Sequence, residues 1–246
     1  MKFIRNHSWI LLAGAAVLLI GGGAGSARAE LNYISNVYNA EVVTTSLNVS
    51  LAENGTVKEG SDTLLQDLLS RAGDEQLVIG KTYDEQLSAV NDGTYPEYVR
   101  VIINKSWKNP NGTKNQSLDP DLIELNLTGI GSDWIVDESL STAERTVLYY
   151  SGIMEAGQGV IFADTLTVND TVYTLCTVTD EAGNVITDPD SVTGTITTTY
   201  TYDGEYVSLE CEVDSVQTHN AADAIYAAWG VNVAIDESTG ALSLAQ

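Results

Sequence analysis

Histidine is almost missing from this chain: 246 residues hold two, His7 and His219. The first sits in the leader discussed below, so a mature protein keeps one imidazole. A zinc protease of the H-E-x-x-H type needs two on one helical face plus a glutamate base, and that site is excluded. A Ser-His-Asp site would have to recruit His219 from the start of a predicted helix, and no serine stands in G-x-S-x-G. Basic residues are also scarce, 11 Lys+Arg against 34 Asp+Glu, for a formal charge of −23. Such a field repels nucleic acid and anionic lipid. Phosphate-cradling loops are lacking, because Gly21-Gly22-Gly23 belongs to the leader and no G-x-G-x-x-G or Walker sequence follows a strand. Long apolar runs are lacking too. The strongly apolar stretch 9–20 falls short of the roughly 20 residues a bilayer span demands.

What that stretch does form is a leader. Lys2 and Arg5 precede it, the three glycines break it, and Ala27-Arg28-Ala29 supplies the small residues of a cleavage site before Glu30. The reading is an export signal over residues 1–29, and a secreted protein working at the cell surface or in an extracellular matrix. No cysteine near the signal's end offers a lipid attachment point, and no LPxTG motif marks the C-terminal end. Cleavage leaves 217 of the 246 residues and removes three basic side chains, so the mature charge falls to −26. Residues 30–246 are long enough for a single domain with a substantial core. Acidity of this degree keeps an exported protein soluble, or gathers calcium where carboxylates cluster.

Most of the mature chain alternates with period two. Candidate strands are 42–51, with Leu47, Val49 and Leu51 on one face, then 98–103, 122–127, 146–150, 160–168, 171–179, 192–202 and 205–213. Turn pairs separate them: Asn54-Gly55, Asp92-Gly93, Asn111-Gly112 and Asp203-Gly204, the last predicting a tight hairpin. Two segments read as helices. Residues 61–72 place Leu64, Leu65, Leu68 and Leu69 on one face, with Ser61 or Asp62 as cap and Gly73 as terminator. Asn220 caps a second, in which Ala221, Ile225, Ala228 and Trp229 share a face and Gly230 closes before a strand over 231–235. The expected fold is all-β, a jelly-roll-like two-sheet sandwich with two short helices.

No catalytic residue or cofactor is assigned. Glu97, Asp119, Asp121 and Glu124 belong to an acid population too dense for any pair to be diagnostic. Asp180-Glu181-Ala182-Gly183-Asn184, Asp188-Pro189-Asp190 and Asp119-Pro120-Asp121 depart from calcium-loop spacing and read as solvated turns, so no metal site is assigned either. Cys176 and Cys211 fall in β-like segments, which admits a cross-strand disulfide or two buried thiols. Trp107 and Trp134 suit core packing or the stacking of a sugar.

Three stretches then act together. The leader's Leu11-Leu12-Ala13-Gly14-Ala15-Ala16 runs through Ala29 into Leu31-Asn32-Tyr33-Ile34-Ser35 and on to Leu47-Asn48-Val49-Ser50-Leu51-Ala52-Glu53-Asn54-Gly55. Next come Ile79-Gly80-Lys81-Thr82-Tyr83-Asp84-Glu85, Val90-Asn91-Asp92-Gly93-Thr94 and Tyr98-Val99-Arg100-Val101. The third is Val213-Asp214-Ser215-Val216-Gln217-Thr218-His219-Asn220, ending at Ala227-Ala228-Trp229-Gly230-Val231. In this order they resemble the TasA/camelysin family, exported proteins of Gram-positive bacteria whose leaders are cut by a SipW-type signal peptidase. Family members often begin the mature chain with Ala-Tyr-Phe-Thr-Asp, of which this chain keeps the tyrosine. The resemblance implies a jelly-roll subunit that polymerises into matrix fibres, the N-terminal segment of one copy completing a neighbour's sheet, and it implies other matrix or surface proteins as possible partners. Some relatives carry a metalloprotease label, which one histidine does not support. Residues 30–39 suit the donor role on their own account. Leu31, Tyr33 and Val37 share one face, Ile34 and Tyr38 the other, and no proline removes a backbone donor. The expected product is a homopolymer without nucleic acid, and without membrane once the leader is gone. The alternative is a monomeric module holding carbohydrate or calcium in its end loops.

Overall fold

One strand shows how the molecule is layered. In the sequence from Glu97 to Lys108 the odd residues Val99, Val101, Ile103 and Trp107 are buried on one face, while Tyr98 and Ile102 are buried on the other. A strand that buries both faces lies between two layers. The computed structural model describes residues 47–60, 62–187 and 195–245 and supplies those layers. Five strands form the first sheet: β1 (Val49–Glu53), β2 (Thr56–Val57), β3 (Thr82–Asn91), β5 (Ile123–Leu127) and β8 (Gly159–Val168), in the order β2-β1-β3-β8-β5. The second holds β4 (Glu97–Lys108), β6 (Trp134–Val136), β7 (Arg145–Tyr150) and β11 (Tyr206–Gln217), in the order β11-β4-β7-β6. Every pairing in these sheets is antiparallel. The fold is an all-β sandwich.

Between the sheets lies a core built from Leu87, Ala89, Val99, Val101, Ile103, Trp134, Leu148, Met154, Phe162 and Leu209. Trp134 is fully buried at its centre, edge-on to Phe162 at 5.8 Å, and its indole N–H reaches the Ile161 carbonyl at 2.8 Å. Behind the four-stranded sheet, helix α2 (Ala221–Trp229) and the hairpin of β12 (Val233–Ile235) and β13 (Leu242–Leu244) form a third layer. Alanines at 221 and 224 let α2 approach closely, and Trp229 packs against Tyr149 at 5.5 Å. A further two-stranded ribbon, β9 (Cys176–Thr179) with β10 (Thr197–Tyr200), stands apart with all of β10 exposed.

Several sequence expectations are met. Strands appear within 98–103, 122–127, 146–150, 160–168 and 205–213, and Asn54-Gly55, both at positive φ, joins β1 to β2 by a two-residue turn. Others are corrected. The first helix is confined to α1 (Leu68–Ala72), and Asp67 precedes it without a side-chain cap; Gly73 does terminate it, in the left-handed region at φ 72°. Its expected first turns are irregular because Leu65 itself adopts φ 67°. Asn220 also lies left-handed and caps α2 with no side-chain bond. Residues 171–174 belong to a 3-10 turn rather than a strand. The hairpin at Asp203-Gly204 does not form: β10 pairs with β9, and β11 pairs with β4 along its full length. The cause is Tyr202, which is buried edge-on against Trp107 at 4.8 Å and accepts the Asp119 N–H, turning the chain from the ribbon into the sheet. Thr82–Asn91, Trp134–Val136 and Leu242–Leu244 are strands that alternation alone did not single out.

Candidate functional site: the seam between two sheet edges

A sandwich has two long sides. On one, β5 and β6 are joined directly by the connection 128–133, whose Gly129 carbonyl accepts the N–H groups of Ser132, Asp133 and Trp134. On the other, β1 and β11 are edges. Strand β11 is twelve residues long and pairs only with β4 among the described residues, so one row of its backbone donors and acceptors faces away from any strand. The short β2 covers only Ala52 and Glu53 of β1, and the Lys58 N–H adds a bond to the Leu51 carbonyl; on the side away from β3, Val49 and Ser50 have no strand beside them among the described residues. Between these edges runs a groove of about 610 Å³, lined by Val49, Leu51, Leu64, Leu209, Cys211 and Val213 with acidic side chains at its rim. Beyond α1 the same seam continues as a second groove of about 790 Å³, walled by Leu65, Leu68, Trp107, Tyr173, Tyr200 and Tyr206.

Residues 62–72 lie over the seam and part the two grooves. Leu64 and Leu65 pack on the sandwich core, Leu68 on a neighbouring cluster with Tyr83, Trp107 and Tyr202. Their polar fastening is unusual for an interior. Glu53 and Glu85 sit on adjacent strands at inward positions, 3% and 0% exposed. Glu53 accepts the Leu65 N–H at 2.6 Å and the Lys58 ammonium at 2.5 Å. Arg71 of α1 bonds Glu85 and also donates to the Asp84 carbonyl at 2.8 Å. Asn54 reaches the same Glu85 oxygen at 3.3 Å, and the other Glu85 oxygen has no partner. Burial, then the contact with Glu53, pushes the Glu85 carboxyl up to about 7. Although burial opposes it, Glu53 is held below its ordinary value by its contact with Glu85 and by the Leu65 N–H and Lys58. Cys211 faces the pair from β11, and burial, assisted by the two carboxylates, drives its thiol upward.

Another buried carboxyl marks the other end of the seam. Glu97 opens β4 with no exposure and accepts the Ser215 hydroxyl at 2.9 Å, while its second oxygen is unpartnered. Burial pushes it up to about 7, against the lowering effect of Ser215. The Asn48 backbone, at the entrance to β1, lowers it as well.

The residues singled out from sequence distribute unevenly. Leu31, Tyr33, Ile34, Val37 and Tyr38 of the donor segment, and Ala27, Ala29 and Glu30 of the cleavage site, lie outside the described residues. Cys176 is exposed on the ribbon and Cys211 is on the seam; they belong to different sheets and both are free thiols, so a disulfide between them is not formed. His219 is exposed at the turn before α2. Trp107 and Trp134 are 3% and 0% exposed and satisfy their N–H groups on backbone carbonyls, which removes both as sugar platforms. The Asp180 turn is closed by its own Ala182 and Asn184 N–H groups, and Asp119 caps a short 3-10 turn in the same way. Asp188 and Asp190 lie outside the described residues. Among the described residues no three His, Cys, Asp or Glu side chains converge as metal ligands. The groups that sequence reading missed are Glu53 and Glu85. Their signal was present, a glutamate at an inward position of an alternating strand, but the inward phase of β3 was not assigned.

Compared with family models, with curated proteins and with solved structures, the chain shows no match.

Proposed function

We propose that this protein is an exported structural subunit, without enzymatic activity, that assembles into matrix or cell-surface fibres by strand addition. On this reading the sandwich is of jelly-roll type, and residues 30–39, freed by signal cleavage, leave one copy and dock along the seam of the next. The observation that carries it is the pair of edges, β11 and the start of β1, that no strand covers among the described residues and that face one apolar-floored groove. An extended segment gains affinity from main-chain bonds to such an edge and specificity from alternate side chains. Leu209, Cys211 and Val213 on one wall and Val49 and Leu51 on the other provide an apolar lining for Leu31, Tyr33 and Val37. Leader removal then sets the place of assembly, since the donor end is free only after export. The test compares protein beginning at Glu30 with protein beginning at Ala40. Sedimentation and negative-stain microscopy should find filaments for the first and monomers for the second, and equal sedimentation would contradict the reading.

One observation favours a second reading. Tyr173, Tyr200 and Tyr206 are 55%, 46% and 60% exposed around the second groove, and exposed aromatic rings are what a carbohydrate-binding module presents. Glycan capture by a protein that never forms filaments would favour it.

A further inference from the structure

An incoming strand does not fit between β1 and β11 as the seam stands. Strands pair about 4.8 Å apart, so one placed between two others separates its neighbours by about 9.6 Å. Parts of β1 and β11 already lie within 8 Å of one another, Cα to Cα. Filling the gap therefore requires the seam to widen, and residues 62–72, with Leu64 on the groove wall, are what must give way.

How that segment is held suggests what releases it. Leu65 is a leucine in the left-handed region, a conformation that costs a non-glycine residue about 1 kcal/mol or more and persists only when its surroundings impose it. The imposing contact is its N–H on Glu53. Around the buried pair the charges are few and countable. Lys58 and Arg71 are positive and Glu53 and Asp67 negative, with Asp67 on Arg71 at 3.1 Å; Asp62 lies further out near Lys58, while Asn54 and the Cys211 thiol are neutral. With Glu85 protonated the two inner cations are balanced by two carboxylates. Protonated, its second oxygen is uncharged and tolerates being unpartnered. Ionisation would set two carboxylates side by side on adjacent strands, out of water.

We infer that Glu53 and Glu85 form a proton-operated latch on the seam: while Glu85 keeps its proton, residues 62–72 are shut over the groove, and loss of that proton frees the segment and lets the seam widen. The step is a simple ionisation, the proton passing to solvent as water reaches Glu85. Its bearing on assembly rests on the strand-addition reading, but the latch itself does not. The direction also follows from linkage, because the closed form holds the Glu85 proton more tightly than any open form in which that carboxyl is hydrated.

Hydrogen–deuterium exchange of the full-length protein from pH 5 to pH 8, corrected for intrinsic exchange rates, tests it. Protection of the amides in residues 62–72 should fall about tenfold or more across that range. In Glu85→Gln, which keeps the neutral shape, protection should stay level. In Glu97→Gln, which removes a buried acid away from the latch, the wild-type pH dependence should persist. A flat wild-type profile, a Glu85→Gln profile that still follows pH, or loss of the dependence in Glu97→Gln would each overturn the latch, and the Glu97 arm decides the matter even if Glu85→Gln does not fold. Filaments scored in parallel separate the two proposals. A working latch without filaments at any pH sinks only the fibre reading, and filaments with level protection sink only the latch.

Discussion

Buried carboxyls give this protein a pH dependence whose sign is fixed residue by residue. Glu85 and Glu97 are raised in the folded state from 4.5 to about 7, so each binds its proton more tightly folded than unfolded. Their contribution to stability is complete below about pH 4.5 and is lost as pH rises to about 7. Asp236 works in the opposite sense. Bonds from the Ser238 hydroxyl and from the Ser238 and Thr239 N–H groups lower it to about 2, and its contribution is lost only below pH 4. Thermal unfolding should therefore show the highest Tm near pH 5 and a decline toward pH 8, and Glu97→Gln should flatten that decline. A Tm that rises from pH 5 to pH 8 would contradict the assignment. Gly240 gives a second residue-scale expectation. It has φ 71°, and a Cβ there would stand 2.5 Å from Ile153 Cδ1, so Gly240→Ala should cost about 1–3 kcal/mol by urea unfolding.

At the scale of elements, the third layer should come away before the sandwich itself unfolds. Helix α2 is nine residues long and could not persist alone in water. It is held by Ile225 and Trp229 against Tyr98, Ile102, Val147, Tyr149 and Val216. Trp229 also covers Arg100, whose guanidinium lies 5.2 Å from the ring and bonds Asp214 at 2.7 Å. Trp229→Ala should cost about 3–5 kcal/mol in chemical denaturation and expose α2 amides to exchange before those of β4. If the helix and the sheet lose protection together, the layer is not separable. The helix was legible in sequence because the spacing of Ala221, Ile225, Ala228 and Trp229 survives any tertiary context, and Gly230 ends it at φ 72°. The other helix was over-read. Four leucines in residues 61–72 satisfy helical spacing, yet Leu64 and Leu65 are drawn into the seam and Glu53 fixes the backbone between them. Alternation likewise located β4, β7 and β8 but could not say that β10 pairs with β9 rather than with β11. Partner choice depended on Tyr202 finding Trp107, a contact between residues nearly a hundred positions apart.

For the whole molecule, charge opposes assembly. On the fibre reading, a chain freed of residues 1–29 and carrying −26 would bring like-charged copies together at every addition step, and the rim of the seam is itself acidic, with Glu59, Asp62, Glu210 and Glu212. Screening lengths near 8 Å at about 0.15 M salt reduce that repulsion, so filament growth from protein beginning at Glu30 should be slower at low salt and faster at physiological salt. A growth rate that falls with added salt would point to attractive ion pairs in the interface instead. The acidic charge, the scarcity of histidine and the two-residue period were all readable from the chain, because composition and alternation are properties of neighbours in sequence. Which edges lack a strand among the described residues, that two glutamates meet behind α1, and that the two thiols stay apart were decided by the packing of β1, β3 and β11, since only folding brings residues 53, 85 and 211 to one place.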